Sequence, residues 1–363
     1  MAALPKIYFS EASMATSTIA TDPVITPVTP ERIMQLAWGY VPPLVLEAAI
    51  RHRVFDILDD RNVPMSAAEV HRASGASLRG LTVLMNALVG LAFLSKDQAG
   101  LYSLTPESST FLVSTKPSFQ GGIIRHCSEH LIPRWLHLNE VVDTGKPVAA
   151  VNQQDSGSNF FQEFVNDIFP MSYPAAKTLA GHISLTATGE FRVLDLAAGS
   201  GVWGIAQAQT SPHVTVTAVD WPGVLPVTQK TVARFGLSER FTFREGDLQE
   251  ADFGGGYQLA TLGHILHSEG IDRSRALIAK TFAALAPRGV IAIAEFLVNP
   301  DRTGPVQGLF FAVNMLVNTD HGDTYSFDEI ASWLTQAGFT DPRTLDAPGP
   351  SPLILATKPD SQA

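Results

Sequence analysis

Cysteine is nearly absent. Cys127 is the single one in 363 residues, so the chain can form no internal disulfide and no cysteine-rich zinc site. Positive charge is also scarce: 25 Lys and Arg against 35 Asp and Glu give a formal net charge of −10. A nucleic-acid partner would want a basic face, and this balance argues against one. No apolar run is read as reaching the ~18 residues of a bilayer-spanning helix, so no membrane partner is expected. Residues 1–30 are rich in Ser, Thr, Ala and Pro. They lack the basic start and apolar centre of a signal peptide and read as a flexible N-terminal arm. These absences together suit a cytoplasmic protein with room for two domains and a sizeable core.

What the chain does have is one concentrated glycine turn. Val193 to Leu196 is a short apolar run with β character. Ala197, Ala198, Gly199, Ser200 and Gly201 are all small, and a helix can begin at Val202. A buried strand, a turn too tight for side chains and a helix N-terminus make a nucleotide-type cofactor site. The spacing Gly199-x-Gly201-x-x-Gly204 also fits the dinucleotide fingerprint. The flanking residues must therefore decide which cofactor binds.

Upstream, the pattern from Arg32 to Leu58 is helical, interrupted at Pro42 and Pro43. Ser66 with Glu69 predicts a capping box opening a second helix. Ser77 opens a third helix, apolar at Leu81, Leu84, Leu88 and Leu91. Residues 93–104 read as a β-hairpin turning near Asp97 to Gly100. Three helices and a hairpin make a winged helix over residues 31–115. Its third helix carries only Arg79 near its start, where phosphate contacts would need several basic residues. That apolar face is better used between subunits, which predicts a homodimer.

Residues 116–185 are mainly helical and hold two polar or aromatic clusters. Arg125, His126, His130 and Arg134 lie within ten residues. Phe160, Phe161, Phe164 and Tyr173 form an aromatic run around Glu163. A carboxylate among rings is costly unless it has a partner or a task.

From residue 186 onward, short apolar strands alternate with helices. Strands are expected at 192–196, 215–220, 241–245, 257–262, 290–296 and 353–358. Helices are expected near 202–209, 224–235, 272–285 and 326–337. This order implies a parallel, doubly wound sheet with its ligand at the strands' carboxyl ends. The last strand follows a long connection through 342–352 and is a candidate for antiparallel pairing. Asp220 ends the second strand, where an acid takes ribose hydroxyls. Trp221 follows it. Asp195, ahead of the glycines, suits a cofactor bearing a cationic amino acid better than a pyrophosphate. Gly246 and Asp247 end the third strand beside Leu248, and Asp247 can accept from an adenine amino group.

Asp195 to Gly201, Asp220, Gly246-Asp247, Leu266-His267 and Ala294-Glu295 resemble the motifs of class I S-adenosylmethionine-dependent methyltransferases. With its winged-helix front end, the chain from about residue 32 resembles the small-molecule O-methyltransferases of caffeate and acetylserotonin methylation. The resemblance implies an α/β fold. A Rossmann-like doubly wound methyltransferase sheet over 186–363 would follow an all-helical winged-helix dimerisation domain and a helical linker lining the acceptor pocket. It implies S-adenosylmethionine as cofactor, bound by Asp195, Gly199, Gly201, Asp220, Trp221, Gly246, Asp247 and Leu248. Ala197 stands where the family often has Gly, a difference expected to matter little because Ala is small.

The resemblance places the catalytic base at His267, with Ser268 where an Asp usually follows. Glu295 matches one orienting acid. The second aligns with Thr324, although Asp320 and Asp323 are close. Two other chemistries follow from this incomplete set. His267, Glu295 and His321 could converge on a divalent metal, Mg²⁺ or another, that holds an α-keto-acid enolate. Alternatively, Glu163 and Trp203 resemble features of prenyl-diphosphate C-methyltransferases. Phe160, Phe161, Phe164, Tyr173 and Trp203 would then face a carbocation, with Glu163 removing a proton. Arg125, Arg134, His126 and His267 would meet the diphosphate. Between carbon and oxygen, the expectation leans to carbon methylation of a geranyl-type diphosphate. An NAD-dependent oxidoreductase and a non-catalytic winged-helix regulator are the readings outside the transferases.

Overall fold

The computed structural model describes residues 28–152, 157, 161, 164–184 and 189–360. Among the described residues, those up to Val41 and those from Pro42 onward form two compact units. The first contains helix α1 (Glu31–Ala37), which buries no residue and so belongs to no core. Glu31–Arg51 is 21 residues long with hydropathy 1.3, apolar enough by length and composition to cross a bilayer. This corrects the expectation that no such run exists. Glu47 lies inside the segment, so counting uninterrupted apolar residues misses it.

Helix α2 (Val41–Arg51) carries Pro42 and Pro43 in its first turn, where a missing N–H leaves no bond unmade. The prolines therefore start this helix rather than interrupt one. Arg53 has φ +54° and separates α2 from α3 (Val54–Arg61). Helix α4 (Ala67–Ser74) opens on the predicted capping box: Ser66 N–H donates to Glu69 Oε2 at 2.8 Å, and Glu69 N–H to Ser66 Oγ at 3.3 Å. Ser77 caps α5 (Leu78–Gly90). Strands β1 (Leu94–Lys96) and β2 (Tyr102–Leu104) pair antiparallel. Leu46, Phe55, Leu58, Leu81, Met85 and Leu88 form the core of this region. The hairpin is the expected wing beside these helices.

Helices α6 (Pro106–Phe111), α7 (Gly121–His126), α8 (Ile132–Trp135), α9 (Leu138–Thr144) and α10 (Phe169–Ser184) follow, with a π-helical turn at Cys127–Leu131 between α7 and α8. The catalytic region then alternates as expected: β3 (Phe191–Leu196), α11 (Val202–Ala208), β4 (Val214–Asp220), α12 (Leu225–Arg234), β5 (Phe241–Glu245), β6 (Tyr257–Gly263), α13 (Leu266–Ala284), β7 (Leu285–Ala294), α14 (Val306–Asn318), α15 (Phe327–Gln336), β8 (Thr340–Leu345) and β9 (Leu353–Thr357). The sheet order is β5-β4-β3-β6-β7-β9-β8. Strands β3 to β7 are parallel, and β9 runs antiparallel to both β7 and β8. The antiparallel last strand was anticipated. Strand β8 was not, because its burial is intermittent and Pro342 lies inside it.

Each face of the sheet has its own core. Leu179, Ala180, Val193, Ile205 and Leu259 pack on one side. Leu194, Leu262, Leu277, Ile293 and Leu334 pack on the other. Helix α10 packs on the first of these faces. The chain reverses its direction across the sheet at β3, leaving a crevice at the carboxyl ends of β3 and β6.

The glycine turn fills that crevice's edge. Gly199 and Gly201 have φ of +55° and +76°, where a Cβ is penalised. Ala197 also lies there, at +51°. Its cost is one of backbone angle, so its small volume does not remove it. We predict that Ala197→Gly raises stability by ~0.5–1 kcal/mol, the left-handed penalty less glycine's unfolded-state entropy. Chemical unfolding of the two proteins checks this; an unchanged or lower midpoint would refute it.

Candidate active site

A cavity of about 390 Å³ opens at the carboxyl ends of the central strands. One end is walled by Ala197 to Ser200, Asp220, Trp221, Val224 and Gly246 to Leu248. The other is walled by His126, Phe161, Phe164, Trp203, His264, His267, Phe296, Phe311 and Asn314. The cavity therefore joins a backbone cradle to an aromatic chamber.

At the cradle, Asp220 Oδ2 accepts from Gly199 N–H and Oδ1 from Trp221 N–H, both at 2.7 Å. Burial raises its carboxyl to about 6, against the pull of these two N–H groups. Asp195 was expected to face the cofactor's cationic end, but it lies outside the cavity wall. It is fully buried; Oδ2 accepts from Gly204 N–H at 2.9 Å and Oδ1 from Thr261 Oγ1 at 2.7 Å. Burial is the main reason its carboxyl rises to about 7. Asp195 ties β3, β6 and the first turn of α11 beneath the glycines. Asp247 is in the wall, with Arg273 Nη2 3.0 Å from each of its oxygens. Glu269, also in the wall, accepts from Arg273 Nε at 2.7 Å.

At the chamber, Glu295 follows the last residue of β7 and His267 lies in the first turn of α13. Nδ1 of His267 is 2.8 Å from Glu295 Oε2, and the His267 backbone N–H donates to Oε1 at 3.3 Å. One carboxylate thus holds the ring and satisfies a helix-start donor. Burial alone would raise the Glu295 carboxyl, but His267 outweighs it and holds it low. An ionised carboxylate only accepts, so Nδ1 carries a proton toward Glu295. Phe311 meets the His267 ring edge-on at 4.9 Å between centroids. Gly270, with φ +76° and ψ 169°, sets this first turn off from the rest of α13.

Trp203 does point into the chamber. It packs so tightly on Gly263 that a Cβ there would overlap the indole nitrogen. Phe161, Phe164 and His126 join it in the wall, with the His126 and Phe164 rings 4.1 Å apart. Burial lowers His126 to about 4, so it is neutral near pH 7. Glu163 and Phe160 lie outside the described residues.

Several expected site residues lie elsewhere. Tyr173 stacks on Phe169 and Phe235 and donates to Gln209 Oε1 at 2.6 Å, on α10's outer side. Arg125 lines a different cavity with Arg51, Arg53 and Glu129. Arg134 sits behind the chamber wall, its Nη1 donating to Asn318 Oδ1 at 2.9 Å. Thr324 is buried and donates to the Gly308 carbonyl at 3.2 Å, while Asp320 and Asp323 are exposed. His321 is also exposed. Among the described residues no group of three or more His, Cys, Asp or Glu could hold a metal, so the His267, Glu295 and His321 metal set does not assemble.

Sequence reasoning missed His264, Phe296 and the whole of α14, with Phe311, Asn314, Met315 and Asn318. The apolar run 306–317 was a signal for α14. Nothing in the sequence announced His264.

Residues 34–114 match the O-methyltransferase dimerisation domain, and residues 161–340 match the O-methyltransferase domain. The chain belongs to this family of S-adenosylmethionine-dependent O-methyltransferases and is an enzyme of that class. It is similar to the tetracenomycin polyketide synthesis 8-O-methyl transferase of Streptomyces glaucescens, 28% identical over 344 residues that cover 91% of this chain and 97% of that one. It is 29% identical over 339 residues to the 3-hydroxy-5-methyl-1-naphthoate 3-O-methyltransferase of Streptomyces sahachiroi, covering 91% and 95% of the two chains. The solved structure of PigF with SAH, a protein known from Serratia, matches with a TM-score of 0.78 at 25% identity over 91% of this chain and 99% of that one.

The buried Asp220 yields a pH prediction. Its folded carboxyl, near 6, lies above the ordinary 3.8. The native state therefore binds more protons between those values, and this group's contribution to stability falls as pH rises through that window. Asp220→Asn should gain on the wild type from pH 4 to pH 6, with the difference constant above. Denaturant titrations of both ligand-free proteins across pH measure it; a difference independent of pH would sink the assignment.

Proposed function

We propose that this enzyme methylates a hydroxyl of a fused aromatic phenol, with His267 as general base and Glu295 as its orienting acid. The observation that carries the reading is the His267–Glu295 pair, placed in an apolar, ring-lined chamber continuous with the glycine cradle.

The cradle fits S-adenosylmethionine. The turn 197–201 keeps side chains off the backbone, Asp220 offers carboxylate oxygens for ribose hydroxyls, and Asp247 and Leu248 stand where the base would lie. When bound, that cofactor supplies a methyl group already activated on a cationic sulfur. The chain's own work is to align, dehydrate and deprotonate. Trp203, Phe161, Phe164 and Phe311 exclude water and fix the acceptor's plane, which supplies much of the effect in a transfer whose donor needs no further activation. His267 Nε2 takes the hydroxyl proton as the acceptor oxygen gains its new carbon bond. The Glu295 carboxylate stabilises the resulting imidazolium.

The two Streptomyces relatives, named for a tetracenomycin polyketide and a hydroxynaphthoate, support a polycyclic phenol of secondary metabolism as the acceptor. Carbon methylation of a prenyl diphosphate, the earlier expectation, has no comparable support. Arg125 faces another cavity and Arg134 is held by Asn318. We further read the enzyme as a cytoplasmic homodimer, in keeping with its dimerisation domain and single cysteine.

The test is methyl transfer from labelled S-adenosylmethionine to a panel of naphthols and larger fused phenols. His267→Ala should lower kcat by about 10²-fold or more, with the affinity for S-adenosylhomocysteine retained. A wild type inactive across the panel, or a His267→Ala enzyme of undiminished kcat, would overturn the reading.

A further inference from the structure

Three residues before His267, the chamber wall contains another histidine that the reaction described above leaves unused. His264 occupies the turn between β6 and α13 with φ +61°. A side-chain-bearing residue in this region is strained, and such strain persists where the surroundings over-determine it. The surroundings here do so. The His264 backbone N–H donates to the Ala294 carbonyl at 2.9 Å. Its Nε2 lies 3.0 Å from Ser351 Oγ, and Ser351 is itself buried. Phe296 flanks the ring at 5.3 Å and Trp203 at 6.5 Å between centroids. Nδ1 is the ring's remaining polar atom and has no hydrogen-bond partner among the described residues.

We propose that His264 receives a second oxygen of the acceptor, beside the one that His267 deprotonates, so that the enzyme selects aromatic rings bearing two neighbouring oxygens. The proposal rests on the phenol reading of the site. The geometry suits it. The two imidazole centroids are 6.5 Å apart, so nitrogens on both rings can reach adjacent oxygens of one aromatic system. The polarity suits it as well. A serine hydroxyl can donate or accept, so Nδ1 can offer its proton to a carbonyl or its lone pair to a hydroxyl. Burial, with a smaller contribution from His267, lowers His264 to about 4 against the opposing pull of Glu295. The ring is neutral at working pH and does not compete for the proton. A site built to hydrogen-bond a group rejects ligands lacking it, because a bound ligand that shuts water out then leaves the polar atom unpaired.

The experiment compares 2-naphthol with 2,3-dihydroxynaphthalene. Both are titrated into the S-adenosylhomocysteine-saturated protein by calorimetry, and methyl transfer to each is measured separately. The wild type should bind the diol about tenfold more tightly or better. His264→Phe, which keeps a ring but no nitrogen, should bring the two Kd values to within about twofold. Ser351→Ala should reduce the preference and Ser351→Thr restore it, a pattern that a packing role for Ser351 would not give. Ser351→Ala also keeps the test open should the ring replacement not fold. A wild type that binds both naphthols alike or neither, or a preference unchanged in His264→Phe and Ser351→Ala, overturns the proposal. Failure of the phenol reading looks different: the diol preference depends on His264, yet no methyl reaches either naphthol.

Discussion

The Asp195 carboxylate is the constraint on which this molecule's chemistry depends. It is sealed beneath the glycine turn, where it accepts from Gly204 N–H and Thr261 Oγ1. These two bonds join β3, the start of α11 and β6. The turn above can then run through three left-handed residues, Ala197, Gly199 and Gly201, without drifting from the sheet. A carboxyl placed there is costly to ionise, and its raised pKa expresses that cost. Its return is positional. It fixes the backbone that the cofactor must approach and the helix from which Trp203 enters the chamber.

A second carboxylate has the same role on the other side of the crevice. Glu295, at the end of β7, accepts from the first turn of α13 and from the His267 ring. Both acids sit at strand ends and both reach across to a helix start. One organises the turn that faces the cofactor and the other organises the base. The break at Gly270 lets the turn bearing His267 and Glu269 be set by Glu295 rather than by the axis of the longer helix behind it.

The alternation of strands and helices, the capping box at Ser66 and the glycine turn were legible because each rests on short-range or periodic signals; the His267–Glu295 pair, 28 residues apart, was legible only through the family resemblance. Motif position, by contrast, did not say where the Asp195 side chain would lie. A motif tells which residue is needed but not whether its side chain faces the ligand or the structure beneath. Tyr173 and Arg125 went astray for a related reason: a cluster in sequence spreads around a helix, so only some members share a face. Phe161 and Phe164 reach the chamber, while Tyr173 turns outward to Gln209. Helix α14 and β8 were missed because apolar periodicity was sought between turn signals, and Pro342 was taken for a connection. His264 was illegible in principle. Its role depends on Ser351, 87 residues away, and on a backbone angle that no local pattern demanded.

His264 and His267 show how one turn can give a single residue type two tasks. Both rings belong to the same wall, and their centroids are 6.5 Å apart. Their partners separate them. Glu295 offers His267 a full negative charge, which fixes the ring through Nδ1. Ser351 offers His264 only a dipole, and burial then dominates. Exchanging the partners would exchange the tasks, because neither follows from imidazole itself. The chamber's specificity therefore resides as much in residues behind the wall, Glu295 and Ser351, as in the rings that face the acceptor.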